Sequence, residues 1–536
     1  MTDSQDGHIC WYDLETTGFD PRWHRILQFA AQRTTHELET IGEPVSFQVR
    51  LAPDVLPDPA ACCLTGFTPQ SVDEAGVTEL EAMNRIYELF MEPGTCVAGF
   101  NSVRFDDEFV RYGFYRNLLP VYLREYQNGN SRWDLLDLCR AASALRPEGM
   151  EWPEKDGTPV YNLEALAAAN GIDTSGAHDA GKDVEVTIAL ARRIREVNEK
   201  LYDFAFSLRR RNEVEKLLRA PDEIRVLVAG SLPRERKCLG LVMQIGRTPK
   251  KNTRMVADLG ADLSCLVEWS DERLAEVWWN PDGDDRLPLR PVQINKCPFM
   301  APMSVLRPED VDRLGIDMAE VESRRQFLIK HKPLIEKRIS ALFRTEGEGD
   351  AKDKRAPGGK GGKGRQKRQR FPKGAERNYN GLVSPDGKFL TAAELNGTTR
   401  KPPPVSKDVE AQLYQRFIND RDQSEALRVA QALRNSEKLG KVNFHDRRLR
   451  ELLGRLKARN GLNEHMNEQE RREWRGYLKQ KLLGTPAETD TYLNLESFRQ
   501  RISEVRAGDA VQADESVLAA LEAHGDELHD SLVAPR

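Results

Sequence analysis

Strand-like and helix-like hydrophobic patterns alternate through residues 8–195: HICWYDLE, RILQFAAQRTT and EPVSFQVRLA, then an amphipathic ELEAMNRIYELF, the apolar TCVAGFN, and a helical stretch from Asp179 to Arg195. This alternation predicts an α/β domain. From about Pro221 the pattern shortens to β-rich runs broken by turns (IRVLVAGSL, CLGLVMQIG, RMVADLG, SCLVEWS, LRPVQINKCP). It then turns helical in PEDVDRLGI and ESRRQFLIKHKPLIEKRISALF. A small β-barrel with an appended helical segment fits this spacing and is placed at 198–345. Residues 346–404, with DAKDKRAPGGKGGKGRQKRQRFPKG and TTRKPPP, hold no period able to bury a face and read as a basic, disordered or extended linker or insertion. SKDVEAQLYQRFI opens a helical domain over 405–506, carried by EALRVAQALR, DRRLRELLGRLKARN, EQERREWRGYLKQKLL and YLNLESFRQRISEV. The tail, 507–536, is acidic and is expected to pack only weakly. No internal repeat is found.

Composition narrows the picture. The chain has 536 residues, enough for several domains, with 39% apolar and 31% charged residues and a mean hydropathy of -0.61. No run of eighteen apolar residues exists, so a membrane-spanning protein is not expected. The N-terminus shows neither a basic n-region nor an apolar h-region, and a cytoplasmic address is expected. The eight cysteines lack CxxC or Cys/His zinc spacing and read as reduced, mostly buried thiols. Eighty Lys and Arg against 85 Asp and Glu leave a net charge of -5, which neither demands nor excludes a nucleic-acid partner, because local patches decide that question.

The candidate chemistry starts in HICWYDLETTG. Period-two alternation sends Asp13 and Glu15 to the same side of one strand. Two neighbouring carboxylates at the end of an apolar strand are costly unless a cation or a proton neutralises them, and a hard divalent metal is the natural partner. Alone, DxE is a short pattern and equally describes an exposed strand end. Asp106, in GFNSVRFDDEFVRYGF, follows the apolar TCVAGF at a helix start; Asp107 is its rival, and a helix cap is the plainer reading of either. In GAHDAGKDVEVTIALARRI, His178 and Asp183 stand five residues apart at the start of an amphipathic helix, within reach of one site. By themselves they read as surface residues.

Taken together, Asp13, Glu15, Asp106, His178 and Asp183 have an order and spacing that resembles the three-motif signature of the DEDDh branch of the DnaQ-like 3′-to-5′ exonucleases. The likeness extends beyond the first domain through IGEP (41–44), LTGFTPQ (64–70), NSVRFDDE (101–108), NSRWDLLDL (130–138), LRPEG (145–149), NGI (170–172), INKCP (294–298), LRPEDVDRLGI (306–316) and EAQLY (410–414). It implies an α/β ribonuclease-H-like exonuclease domain, an SH3-like β-barrel middle domain and an all-α C-terminal domain, arranged around a channel for single-stranded DNA. It also implies that Asp13, Glu15, Asp106 and Asp183 hold two Mg²⁺ ions, Mn²⁺ being an alternative, and that Glu15 also faces the substrate. Phosphodiester hydrolysis needs an activated water and stabilised charge on the phosphate and the leaving oxygen, which a metal pair supplies. An imidazole titrating near about 6.5 suits the proton transfer, and that role falls to His178.

The expected activity is processive 3′-to-5′ degradation of single-stranded DNA to 5′-mononucleotides, in DNA repair and recombination. The expected partners are single-stranded DNA and, through its acidic C-terminal tail, single-stranded DNA-binding protein; the chain is expected to act as a monomer. Arg111, Tyr122, Tyr126, Arg132 and Arg140 form one basic and aromatic stretch suited to stacking bases and neutralising phosphate, and Lys296 in INKCP is a similar candidate. Core packing for the tyrosines and solvated faces for the arginines remain equally open. Asn162 stands where relatives carry a substrate-facing arginine, and a neutral amide cannot replace that charge. Two rival readings stand: a DEDDh exonuclease acting on RNA or proofreading for a polymerase, and a catalytically silent DNA-binding scaffold. The presence of all five site residues argues against the second.

Overall fold

The computed structural model describes residues 7–248, 250–279, 285–343, 408–414, 418–484, 493–508 and 512–534. The linker read at 346–404 lies outside them. In the first domain, β1 (His8–Thr16), β2 (Ile26–Thr34), β3 (Thr40–Gln48), β4 (Thr95–Gly99) and β5 (Ser131–Asp134) form one sheet in the order β3-β2-β1-β4-β5. The first three strands run antiparallel, while β1, β4 and β5 are mutually parallel. Around the sheet stand α1 (Pro59–Thr65), α2 (Pro69–Ala75), α3 (Glu79–Met91), α4 (Asp106–Arg116), α5 (Leu135–Leu145), α6 (Leu163–Ala169), α7 (Ala180–Val197) and α8 (Glu199–Ser207), with a short hairpin of β6 (Glu154–Lys155) and β7 (Thr158–Pro159).

The period of two in β1 sorts its side chains between two core layers. Ile9 and Trp11 join Val184 and Ile188 of α7, whereas Cys10, Tyr12 and Leu14 join Phe90 of α3 and Phe109 of α4. Asp13 and Glu15 continue the Ile9 face and therefore fall on the α7 side.

A connecting helix, α9 (Arg211–Leu217), leads to the middle domain. There β8 (Ile224–Val228), β9 (Leu239–Arg247), β10 (Thr253–Asp258), β11 (Leu289–Gln293) and β12 (Phe299–Pro302) form an antiparallel sheet in the order β11-β10-β9-β8-β12. It carries α10 (Cys265–Glu268), α11 (Asp271–Trp279), α12 (Pro308–Arg313) and α13 (Met318–Leu342), the last packed on β9. The SCLVEWS run expected as a strand is instead the short helix α10. A short apolar run carries no decisive period. Here Arg338 of α13 donates to the carbonyls of Leu266, Val267 and Trp269 at 3.1, 3.0 and 2.8 Å, satisfying the end of the helix.

The C-terminal domain is helical: α14 (Asp420–Arg434), α15 (Arg447–Arg459), α16 (Glu468–Leu483), α17 (Leu495–Ala507) and α18 (Glu515–Val533). Each starts on a side-chain cap, from Asn419, Asp446, Asn467, Asn494 and Asp514 in turn. The last helix corrects the expectation of a weakly packed tail. Its acidic outer face masks an apolar stripe of Val517, Leu518, Leu521, Leu528 and Leu532, which is buried with Phe498 and Ile502 of α17 and Cys62 of α1. No helix among the described residues is long and apolar enough to cross a membrane.

The first and last domains also meet through buried charge. Asp54, fully buried after β3, accepts from Arg459 at 2.8 and 2.5 Å and from Lys481 at 2.8 Å. Glu410 accepts from Arg25 at 2.6 Å, Arg455 at 2.8 Å and Arg459 at 2.6 Å. Burial alone would push both carboxyls up. The surrounding cations, Arg459 foremost, hold both below the usual carboxylate range.

Candidate active site

Pairing of β1 with β4 ends at Trp11 and Ala98, so Asp13 and Glu15 project where the parallel strands finish. Helix α4 starts just beyond the end of β4 and presents Asp106; α7 packs across β1 and β2 and presents Asp183 in its first turn. Carboxylate oxygens of Asp13, Glu15 and Asp183 lie within 4.8 Å of one another. Asp106 approaches from the β4 side, close enough that Asp13 is the main charge acting on it.

Electrostatically the cleft is unbalanced. Burial, then Asp183, raises Asp13 well above the ordinary carboxylate value; burial, then Asp13 and Asp183, pushes Glu15 up to about 9. Burial and Asp13 raise Asp106 in the same way. Asp183 is also raised by burial, but His178 opposes the shift by its nearby imidazole and by a backbone hydrogen bond to the carboxylate. His178 is exposed and sits in the left-handed region at φ 69°, in the turn before α7. The structure thus brings Asp13, Glu15, Asp106, His178 and Asp183 to one end of the sheet. A hard divalent cation fits this donor set, being all-oxygen and short of positive charge.

The rivalry between Asp106 and Asp107 resolves by direction. Asp107 turns into the domain, where it accepts from Tyr12 at 2.9 Å and from Arg124 and Arg132 at 2.5 Å each. Those arginines, overcoming burial, hold it below the usual range, while its neighbour faces the other carboxylates.

Two residues that escape the sequence patterns build the site from behind. Gln28 of β2 donates to Asp179 at 2.8 Å and accepts the Ala180 amide at 3.0 Å, pinning the start of the helix that carries Asp183. Asp134, at the end of β5, accepts the amides of Asn101 (2.9 Å), Val103 (3.1 Å) and Leu136 (3.0 Å), and so shapes the loop that delivers Asp106. A polar residue within the apolar RILQFAAQ was the available signal for Gln28. Asp134 carried none.

The basic and aromatic stretch divides. Tyr126 is 66% exposed and Tyr122 half-buried, whereas Arg111 and Arg132 are buried among carboxylates. Arg111 meets Glu108 at 2.5 Å and Glu125 at 2.8 Å, and Arg132 meets Asp107 at 2.5 Å and Glu125 at 3.1 Å. These partners are not evident from spacing. Arg140 pairs with Asp137 at 2.7 Å beside Gly230 of the middle domain, and Lys296 reaches across from that domain to within 3.5 Å of Glu108. Asn162 is an exposed cap of α6, accepting the Ala165 amide at 2.7 Å.

Sheet order and acidic cleft define a ribonuclease-H-like exonuclease domain, and the family described as Exonuclease matches residues 10–191. The Exonuclease I SH3-like domain matches 209–345 and the Exonuclease I C-terminal domain 407–528. The chain is 40% identical to exodeoxyribonuclease I of Escherichia coli (strain K12) over 346 residues, 63% of this chain and 73% of that protein. It belongs to the exodeoxyribonuclease I family. Among solved structures, exonuclease I from Methylocaldum szegediense superposes with a TM-score of 0.80 at 35% identity, covering 97% of this chain and 99% of that one. Exonuclease I of E. coli in complex with a dA16 oligonucleotide gives 0.79 at 31% identity, covering 97% and 100%.

Proposed function

We propose that this chain degrades single-stranded DNA processively from the 3′ end, releasing 5′-mononucleotides. The observation that carries the reading is the close set of Asp13, Glu15 and Asp183, the middle one buried and the other two half-buried, with Asp106 and His178 beside it. These four carboxylates would hold two Mg²⁺ ions, with Mn²⁺ as a substitute. When bound, the ions supply a nucleophilic water and stabilise charge on the phosphate and the departing 3′-oxygen.

The remaining work falls to the chain's own groups. The His178 imidazole, exposed at the cleft, accepts the proton of the attacking water. Glu15 also faces the terminal nucleotide. Tyr122 and Tyr126 offer ring faces to bases, Lys296 offers a cation to phosphate, and Arg111, Arg132 and Arg140 hold that wall in place and add positive field. Asn162 contributes no charge, so grip on the scissile phosphate would fall to the carboxylate-held cations or to another cation of the cleft. The same reading takes the acidic C-terminal tail of single-stranded DNA-binding protein as a partner, a cytoplasmic monomer as the working form, and repair and recombination as the setting.

A time course on 3′- and 5′-labelled single-stranded DNA, with duplex and RNA controls, tests this. Mononucleotides are expected from the 3′ end of the single strand in Mg²⁺, with none in EDTA or from Asp13→Ala. Binding without cleavage under any divalent metal would overturn the reading in favour of a silent scaffold.

A further inference from the structure

Strand β1 does not run smoothly into β2. Its register with β2 shifts between Glu15 and Thr16, and the chain then turns through Thr17 and Gly18 before returning at His24 and Arg25. The extra residue is Leu27 of β2, which is skipped as Glu15 pairs with Gln28 and Thr16 with Ile26; such a shift twists the strand pair locally, and Glu15 is the last β1 residue before it. What fixes this turn therefore fixes a carboxylate of the cleft.

The turn is held from the His24 side. The His24 ring, 2% exposed, shares a hydrogen bond of 3.2 Å between Nδ1 and the Thr17 hydroxyl. That hydroxyl also accepts the Arg25 amide at 2.9 Å, while the Thr17 backbone donates to Arg25 at 2.8 Å and accepts from Asp58 at 2.7 Å. Gly18, at φ 148°, lies flat under the same ring: a Cβ there would come within 2.5 Å of the His24 Cε1. The Thr16 hydroxyl closes the turn on the Gly18 carbonyl at 2.8 Å. Burial, partly opposed by Asp58 and Asp20, brings the imidazole down to about 4, so a neutral ring does this work at neutral pH.

We propose that His24 is a positioning residue of the exonuclease site: by holding Thr17 and covering Gly18 it fixes the turn that leaves β1 two residues after Glu15, and so the end of the strand that carries the Glu15 carboxylate. The assignment rests on the exonuclease reading above and gives His24 no contact with substrate or proton. An offset of about 1 Å in an active group can cost on the order of 10²-fold in rate.

The test uses the full chain as wild type, His24→Ala, His24→Asn, Thr17→Val and His24→Ala/Thr17→Val. It reads kcat and KM on single-stranded DNA in saturating Mg²⁺, oligonucleotide Kd in EDTA, and melting temperature. Expected for His24→Ala is a fall in kcat of roughly 10- to 100-fold, with KM and the EDTA Kd near wild type. Thr17→Val, which also leaves the Arg25 amide without its acceptor, should show at least that loss, and the double variant little more than Thr17→Val, because the two residues share a contact. His24→Asn, whose amide can share the Thr17 hydrogen bond, should recover most of the rate. If His24→Ala does not fold, Thr17→Val, which removes only the hydroxyl at near-constant shape, decides. Full kcat in either variant, or a loss tracking the EDTA Kd, overturns the assignment alone. No cleavage by wild type would overturn the exonuclease reading and the assignment with it.

Discussion

Two clusters of carboxylates, one in the cleft of the exonuclease domain and one where that domain meets the C-terminal helices, have opposite electrostatic fates. In the cleft, Asp13, Glu15, Asp106 and Asp183 gather; burial raises all four, and repulsion from the other cleft carboxylates adds to it at Asp13, Glu15 and Asp106. At the junction with the C-terminal helices, Asp54 and Glu410 are more deeply buried, yet Arg25, Arg455, Arg459 and Lys481 hold them low. The second cluster is neutralised from within the chain and is structural. The first is an all-oxygen donor set that a hard divalent cation would complete, which is why the proposed chemistry is placed there.

The largest effect that can break this comparison is on turnover. Asp13→Asn should lose at least the ~10²–10⁴-fold expected for removing a general base, since it removes a ligand of the cations themselves. In EDTA the same variant should melt at a higher temperature than wild type, because one repelling buried charge is gone. A variant that is both inactive and less stable without metal would show that the cleft is not under repulsion. His178→Ala should lose ~10²–10⁴-fold in turnover with melting temperature unchanged, as expected of an exposed proton carrier. Wild-type turnover in that variant would remove His178 from the mechanism.

Next in size comes the junction, where the stability sign reverses. Asp54→Asn leaves Arg459 and Lys481 buried without their carboxylate, and should destabilise by about 3–5 kcal/mol. Because the Asp54 and Glu410 carboxyls lie lower in the folded chain than their unfolded value of about 4, their contribution is present above that pH. It is lost as pH falls through the folded values. The gap in urea midpoint between wild type and Asp54→Asn should therefore be full at pH 7 and pH 5 and shrink below about pH 4. A gap that widens in acid would mean that Asp54 is not held low.

One side of this contrast, the cleft, was legible in the sequence, and the illegible side has a physical reason. Period-two alternation in β1 put Asp13 and Glu15 on one face, and the family-like spacing named Asp106, His178 and Asp183, because these residues sit at element starts and ends that sequence marks well. What sequence could not show was direction and partnership across long separations. Asp106 and Asp107 are adjacent letters with opposite destinations. Arg111 and Arg132 read as channel cations yet find Glu108, Asp107 and Glu125 inside the domain. Asp54 meets Arg459 and Lys481 more than four hundred residues away. The apolar stripe of α18 was present in the letters but hidden under its acids, and SCLVEWS was too short to choose a period.

The smallest effect sharpens the comparison by removing burial from it. Arg499 and Asp526 also join two helices, α17 and α18, through an ion pair of 2.8 Å, but their side chains are 46% and 68% exposed. Water screens both charges, and holding two long side chains in one geometry costs entropy, so such pairs contribute only about 0.2–1 kcal/mol. Arg499→Ala should therefore shift the urea midpoint hardly at all, and raising the salt concentration should erase what shift there is. The Asp54→Asn deficit should survive the same salt, because its charges lie where counter-ions do not reach. If the two deficits proved equal, ion pairing alone would explain the junction; if they differ as stated, desolvation separates the structural cluster from the surface pair.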